Sequence, residues 1–306
     1  MRITVLGSAA GGGFPQWNCN CRNCAGVRSG AVNAKSRTQS SIFVQPDDAV
    51  DGVLFNASPD ILEQIRSHPT LQPNRATRDT AIAGVVLMDG QIDHATGLFM
   101  LRERGVPLPL WCTDPVEEDL TQGNPVLRVL THYCGVQRHR IGLDGDWFEV
   151  PGVADLRFQA LPLSSKAAPY SPHRENPVPG DNIGITIHDQ RSGKTAFYAP
   201  GLGDITPAVF EAMTAADAVM VDGTFWTDDE MPRLGLSRKT AREIGHLPQS
   251  GPNGMVEWLA KLPTATRRLL IHINNTNPIL DEDSAERALL THAGIEVCED
   301  NMAIRL

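Results

Sequence analysis

The sequence predicts a layered α/β domain. Three observations carry that expectation. Short β-branched runs recur from end to end, segments of helical periodicity alternate with them, and no linker-like stretch divides the 306 residues. With 41% hydrophobic residues the chain can bury a large core without staples, so one domain over residues 1–306 is expected.

The runs read as strands are Arg2 to Leu6, Ser41 to Gln45, Gly84 to Met88, Gly184 to His188, Ala216 to Asp222 and Arg268 to Ile273. Helical spacing appears at Pro59 to His68, Ala95 to Arg104, Pro207 to Ala215, Met255 to Leu262 and Asp283 to His292. Ser58 is the expected N-cap of the first, with Pro59 at its first helical position. The proline-rich stretch Lys166 to Asp181 is too long for an ordinary connection. It reads either as a cover over an active site or as a solvated surface loop.

A formal net charge of -9 and a pI near 5.5 disfavour sequence-independent nucleic-acid binding and leave a small molecule or peptide as the expected partner. No apolar run reaches the roughly 18 residues of a membrane-spanning helix. The stretch Ile3 to Leu6 is too short for a signal peptide, so the cytoplasm is the expected location.

Cys19, Cys21 and Cys24 place three thiols within six residues, which reads as a structural zinc site with its fourth ligand on a distant segment or water. A reactive thiol cluster is the alternative. The glycine-rich loop Gly7 to Gly13 follows a strand but leads into Phe14-Pro15-Gln16-Trp17, not a helix, so a dinucleotide fingerprint fails on context. The loop is expected to let backbone pass close to a buried site.

A second metal site is expected where strands end. Asp93 and His94 follow the run ending at Met88, Asp222 closes Ala-Val-Met-Val, and His272 follows Leu-Leu-Ile. Converging on one sheet edge, two imidazoles and two carboxylates with open coordination positions suit Fe(II), Zn or Mn.

Together these residues resemble the metallo-β-lactamase superfamily, whose first motif is His-x-His-x-Asp-His. Asp93 and His94 match its last two positions, whereas Asp89 and Gln91 stand where its first two histidines belong. The third histidine is also missing, since the expected turn reads Leu161-Pro-Leu-Ser-Ser-Lys166. Finer segments, among them Pro15-Gln-Trp-Asn-Cys-Asn-Cys21, Asn56-Ala-Ser-Pro-Asp60 and His272-Ile-Asn-Asn-Thr-Asn-Pro278, resemble the family of pyrroloquinoline quinone (PQQ) synthesis protein B.

The resemblance implies an αββα sandwich of mixed sheets flanked by helices. It also implies a role in maturing a quinone cofactor, as an Fe(II)- and O2-dependent hydroxylase of the tyrosine ring of a peptide-derived Glu-Tyr precursor. A carrier serving release or transport of the finished quinone and a mononuclear zinc hydrolase are the rival readings; a homodimer is left open. Related phosphodiesterases close their cysteine zinc site with a histidine where this chain has Asn275. Asp93, His94, Asp222 and His272 are thus the expected metal ligands, with Asp93 and His246 as the catalytic candidates. Arg37, Arg238 and Lys239 are the expected partners of substrate carboxylates.

Overall fold

The computed structural model describes residues 1–306. Fourteen strands form two seven-stranded sheets. The N-terminal sheet holds β1 (Arg2–Gly7), β2 (Ser41–Gln45), β3 (Gly52–Phe55), β4 (Ile82–Val86), β5 (Leu108–Cys112) and β6 (Val136–Arg140), with β14 (Ala303–Arg305) on the outside of β1. The second sheet runs in order from β7 (Trp147–Phe148) through β8 (Leu156–Pro162), β9 (Ile183–Asp189), β10 (Thr195–Ala199), β11 (Ala218–Asp222) and β12 (Arg267–Ile271) to β13 (Ile295–Val297). Both sheets are mixed. Strands β3 to β6 are parallel, as are β10 to β13, while β1, β2, β8 and β9 pair antiparallel.

Period-two alternation sorts the apolar side chains between layers. Ile3, Val44, Val53, Phe55 and Val86 face Phe158, Ile185, Ile187, Met220 and Ile271 in the core between the sheets. The other face of the first sheet, with Phe43, Leu54, Val85 and Leu110, packs on Ile61, Leu98, Val116 and Leu120. The other face of the second, with Phe197, Val219, Val221 and Leu270, packs on Val209, Met213, Leu259 and Leu290 of three helices. Helices therefore cover both outer faces, which makes the expected αββα sandwich.

Two local expectations are corrected. Asp60, not Ser58, occupies the N-cap of the helix Ile61–Ser67, because the Ser58 hydroxyl accepts from the Asp60 N–H in a turn before it. The segment expected as a helix over 95–104 is a short α-turn at Ile92–Ala95 continued by 3-10 turns over Thr96–Arg104. Gly97 lies against the Ala57 and Ser58 carbonyls there, and a Cβ on it would come within 2.1 Å of Ser58 O, so close packing on that turn dictates the path.

Candidate metal centre

Loops leaving strand ends bring the chemistry together at one edge of the sandwich. After β4 the chain runs on through Leu87 and Met88, where the Asn56 side-chain carbonyl accepts from Met88 N–H at 3.0 Å and Met88 O accepts from Ile183 N–H at 2.9 Å. Asp89 bridges to Asn182, so it sits where the two sheets meet. The α-turn that follows presents Asp93 and His94. His272 leaves β12 in the left-handed region at φ 61, a conformation costly for a side chain with a Cβ and concentrated at functional sites. Hydrogen bonds from Ile273 N–H to Ser8 O and from Ala10 N–H to Ile273 O hold it beside the glycine loop. Gly11 of that loop has room for no side chain at ease, since a Cβ there would stand 3.3 Å from Asp93 Oδ2. The expected close backbone approach is present.

Asp93, His94 and His272 converge, with one ligand atom of each within 4.8 Å of the others. Asp93 Oδ2 lies 3.2 Å from His272 Nε2 and 3.8 Å from His94 Nε2. His94 is buried, and its Nδ1 stands 2.8 and 2.9 Å from the two oxygens of Asp89. A carboxylate only accepts, so in the neutral ring the proton resides on Nδ1 and the lone pair on Nε2. That Nε2 is buried without any hydrogen-bond partner. An orphaned imidazole lone pair aimed at a second imidazole and a carboxylate is the arrangement a metal ion satisfies, and the donor set fits a first-row metal.

A second group, Asp222, His246 and His272, adjoins the first. Asp222 is fully buried and both its oxygens are engaged. Oδ2 accepts from His246 Nδ1 at 2.6 Å and from Leu202 N–H at 2.9 Å, and Oδ1 accepts from the Thr224 N–H and hydroxyl at 2.8 and 2.6 Å. The Thr224 hydroxyl also lies 2.9 Å from His272 Nδ1. Asp222, expected as a fourth ligand, stands in this group with His246 and His272, and its oxygens also orient His246 and, through Thr224, His272. Sequence offered no sign of Thr224, which lies two residues past the strand end.

Burial alone would raise the Asp93 carboxyl and lower the His94 imidazole; opposite charge outweighs it. Asp93 is held below the usual carboxylate range by His94 and His272. His94 is pushed up to about 9, against its own burial, by Asp89 and Asp93. In the same way His246 lowers the pKa of Asp222 and Asp222 raises that of His246, burial opposing both. A site that draws protons this way has negative potential that a divalent cation would take up in their place.

The sulfurs of Cys19, Cys21 and Cys24 also lie within 4.8 Å of one another, and the Asn275 side-chain amide sits over them at 3.1 to 3.7 Å. Burial first, then the neighbouring thiols, push Cys21 up to about 11, so the trio holds its full negative charge only against a cation. The set fits zinc, with the Asn275 amide, whose oxygen and nitrogen exchange by a flip, covering the fourth direction.

The expected cationic residues fall elsewhere. Arg37 is buried beneath the site, donating to Ser8 Oγ and the Cys298 carbonyl, while Arg238 and Lys239 are exposed outside the cavity lining. The cavity of about 250 Å³ in front of Asp93, His94, His246 and His272 has Lys166 and Arg174 as its cations. Both come from the long stretch Lys166 to Asp181, which does cover the site.

The fold and these centres define a class. The family model described as Beta-lactamase superfamily domain matches residues 52–273. Coenzyme PQQ synthesis protein B of Azoarcus sp. (strain BH72) is 63% identical and that of Methylobacillus flagellatus 61%, each with full coverage of both chains. The crystal structure of Zn(2+)-bound PqqB from Methylobacterium extorquens superposes with a TM-score of 0.90 at 34% identity over the whole of both chains. The chain belongs to the coenzyme PQQ synthesis protein B family of the β-lactamase superfamily.

Proposed function

We propose that the protein is a non-haem Fe(II) oxygenase that hydroxylates the tyrosine ring of a peptide-derived Glu-Tyr precursor during PQQ synthesis. The observation that carries this reading is the donor set Asp93, His94 and His272, two imidazoles and one carboxylate at the wall of a cavity, with no imidazole at Asp89 or Gln91 to build a second metal position. The zinc-bound relative supports a metal in this family. Two histidines with one carboxylate and open positions are the ligand set of non-haem iron oxygenases. When bound, Fe(II) supplies the activation of dioxygen: one oxygen atom enters the ring, the other leaves as water, and a small-molecule reductant supplies two electrons.

The remaining work falls to this chain's residues. Asp89 fixes the His94 tautomer, and Thr224 fixes the His272 ring. His246, with Nδ1 tied to Asp222, offers Nε2 to hold the phenolic proton of a ring in the cavity. The Lys166 to Asp181 stretch limits the access of water.

The test is anaerobic reconstitution with Fe(II) followed by ¹⁸O2, Glu-Tyr and ascorbate as the two-electron reductant. The expected product is heavier by one labelled oxygen. Turnover with zinc and none with iron and oxygen overturns the reading in favour of hydrolysis, and quinone binding without turnover under either metal favours a carrier.

A further inference from the structure

Lys166 and Arg174 are the two cations that line the cavity in front of Asp93, His94 and His272, and neither makes a salt bridge within the protein. The acids nearest the metal position do not neutralise them, since Asp89 is engaged with His94 and Asp93 with His272. Their placement is built. Lys166 is fixed by its own backbone: Gln91 Nε2 donates to its carbonyl, Ser165 Oγ beside it donates to Gly245 O at 2.7 Å, and Gly203 N–H donates to Ser164 O at 2.9 Å. Gly245, at φ 107, passes so close that a Cβ on it would meet Lys166 N at 2.8 Å. Arg174 is half-buried and braces the same segment by donating from Nη1 to the Ala167 carbonyl, while its Nε and Nη2 have no partner in the protein. Beside them Asn182, only 4% exposed, lines the same cavity with a buried Nδ2 that has no hydrogen-bond partner.

All three groups offer hydrogen and none accepts at those atoms. Two unpaired cations close to a site for a divalent cation repel it, and a buried amide donor left unpaired costs free energy. A single kind of ligand relieves both: one that brings carboxylates. We propose that Lys166, Arg174 and Asn182 form a carboxylate cradle that binds an anionic, dicarboxylate substrate and points its uncharged end at Asp93, His94 and His272. Arg174 suits one carboxylate as a two-pronged donor, and Lys166 supplies a point charge to the other. The choice of a dicarboxylic amino-acid ligand rests on the proposed function; the cradle's preference for anions does not.

The test is calorimetric binding to the full-length, zinc-loaded protein, with Glu-Tyr and the same dipeptide bearing both carboxyls as amides. The wild type is expected to bind the acid at least about tenfold more tightly than the diamide, as charge-assisted hydrogen bonds imply. Lys166→Gln and Arg174→Gln are each expected to weaken the acid about tenfold and to leave the diamide within about twofold, with Lys166→Arg restoring the preference. The same unfolding midpoint in each variant shows that the fold survives the substitution, including the loss of the Arg174 hydrogen bond to Ala167. Equal binding of acid and diamide by the wild type, no binding of the acid, or equal weakening of both ligands in the variants overturns the cradle. Acid preference without ring hydroxylation by the iron form sinks the proposed function and leaves the cradle standing, and hydroxylation without acid preference does the reverse.

Discussion

Asp89 holds His94 by Nδ1 at 2.8 Å, from the position where the superfamily motif carries a histidine. Where the superfamily motif places a ligand of a first metal, this chain has the carboxylate that orients His94, which the proposed function makes a ligand of the remaining one. The substitution thus removes one metal position and strengthens the other, because a carboxylate on Nδ1 fixes the tautomer and raises the basicity of Nε2.

Asp89→Asn should therefore weaken metal binding by about 10- to 100-fold with the fold intact. The amide can donate to Nδ1, which moves the imidazole proton to Nε2 and blocks the lone pair the metal needs. Titration against a chelator of known affinity reads the change. An unaltered affinity means that Asp89 is only a packing residue between Met88 and Asn182.

His246 and the metal trio are separable. If His246 acts on substrate and not as a ligand, His246→Gln should keep its metal at the wild-type stoichiometry while ring hydroxylation falls about 10²- to 10⁴-fold. Metal analysis beside product mass spectrometry checks both. Thr224→Val should show a milder loss with some metal released, since it removes the hydroxyl that links the His272 ring to Asp222. Loss of metal from His246→Gln would make His246 a ligand.

The trio was legible because each member ends or follows an apolar run, and strand ends of one sandwich edge converge by topology. The partners of Asp222 were not, since it ends β11 by the same rule and nothing in the sequence shows that its oxygens accept from His246, Leu202 and Thr224. Arg37 misled for a related reason: a cation beside a motif reads as a substrate contact, whereas its side chain is buried outside the cavity lining, with Nη1 donating to Ser8 Oγ and the Cys298 carbonyl. Strand β6, Val-Gln-Arg-His-Arg, escaped notice because an edge strand that is half-exposed on both faces loses the apolar alternation that marks a strand. The loop carrying Lys166 and Arg174 was flagged by length alone, which identifies a cover without saying what its side chains touch.

The cysteine centre should behave as a part of the fold. Cys21→Ser should lower the zinc content by one per chain and lower the unfolding midpoint, because metal binding to a site absent from the unfolded chain adds to folding free energy. Iron content at Asp93, His94 and His272 should be unchanged in the fraction that remains folded. Metal stoichiometry together with thermal unfolding tests this, and a zinc loss with no fall in stability would turn the cluster from a structural into a reactive one.

Asp119 gives the protein a pH signature of its own, beside the turn that carries Asp89. The residue is fully buried beside Gly90, and neither of its carboxyl oxygens has a hydrogen-bond partner by distance and angle. Burial, supported by Asp181 and Asp89 against the opposing pull of Ser171 and His173, raises its pKa to about 6. In the unfolded chain the group titrates near 4. Because the folded value is the higher, the folded state binds the proton more tightly, and the stability this contributes is complete below about pH 4 and is lost as the pH rises through 6. Above that, folding must bury an ionised and unpaired carboxylate. Asp119→Asn removes the titration, so its unfolding midpoint should exceed that of the wild type at pH 8, and the difference should shrink towards pH 4. Denaturant unfolding at a series of pH values measures this. Parallel pH profiles for the two proteins would show that Asp119 ionises as freely in the folded chain as in water.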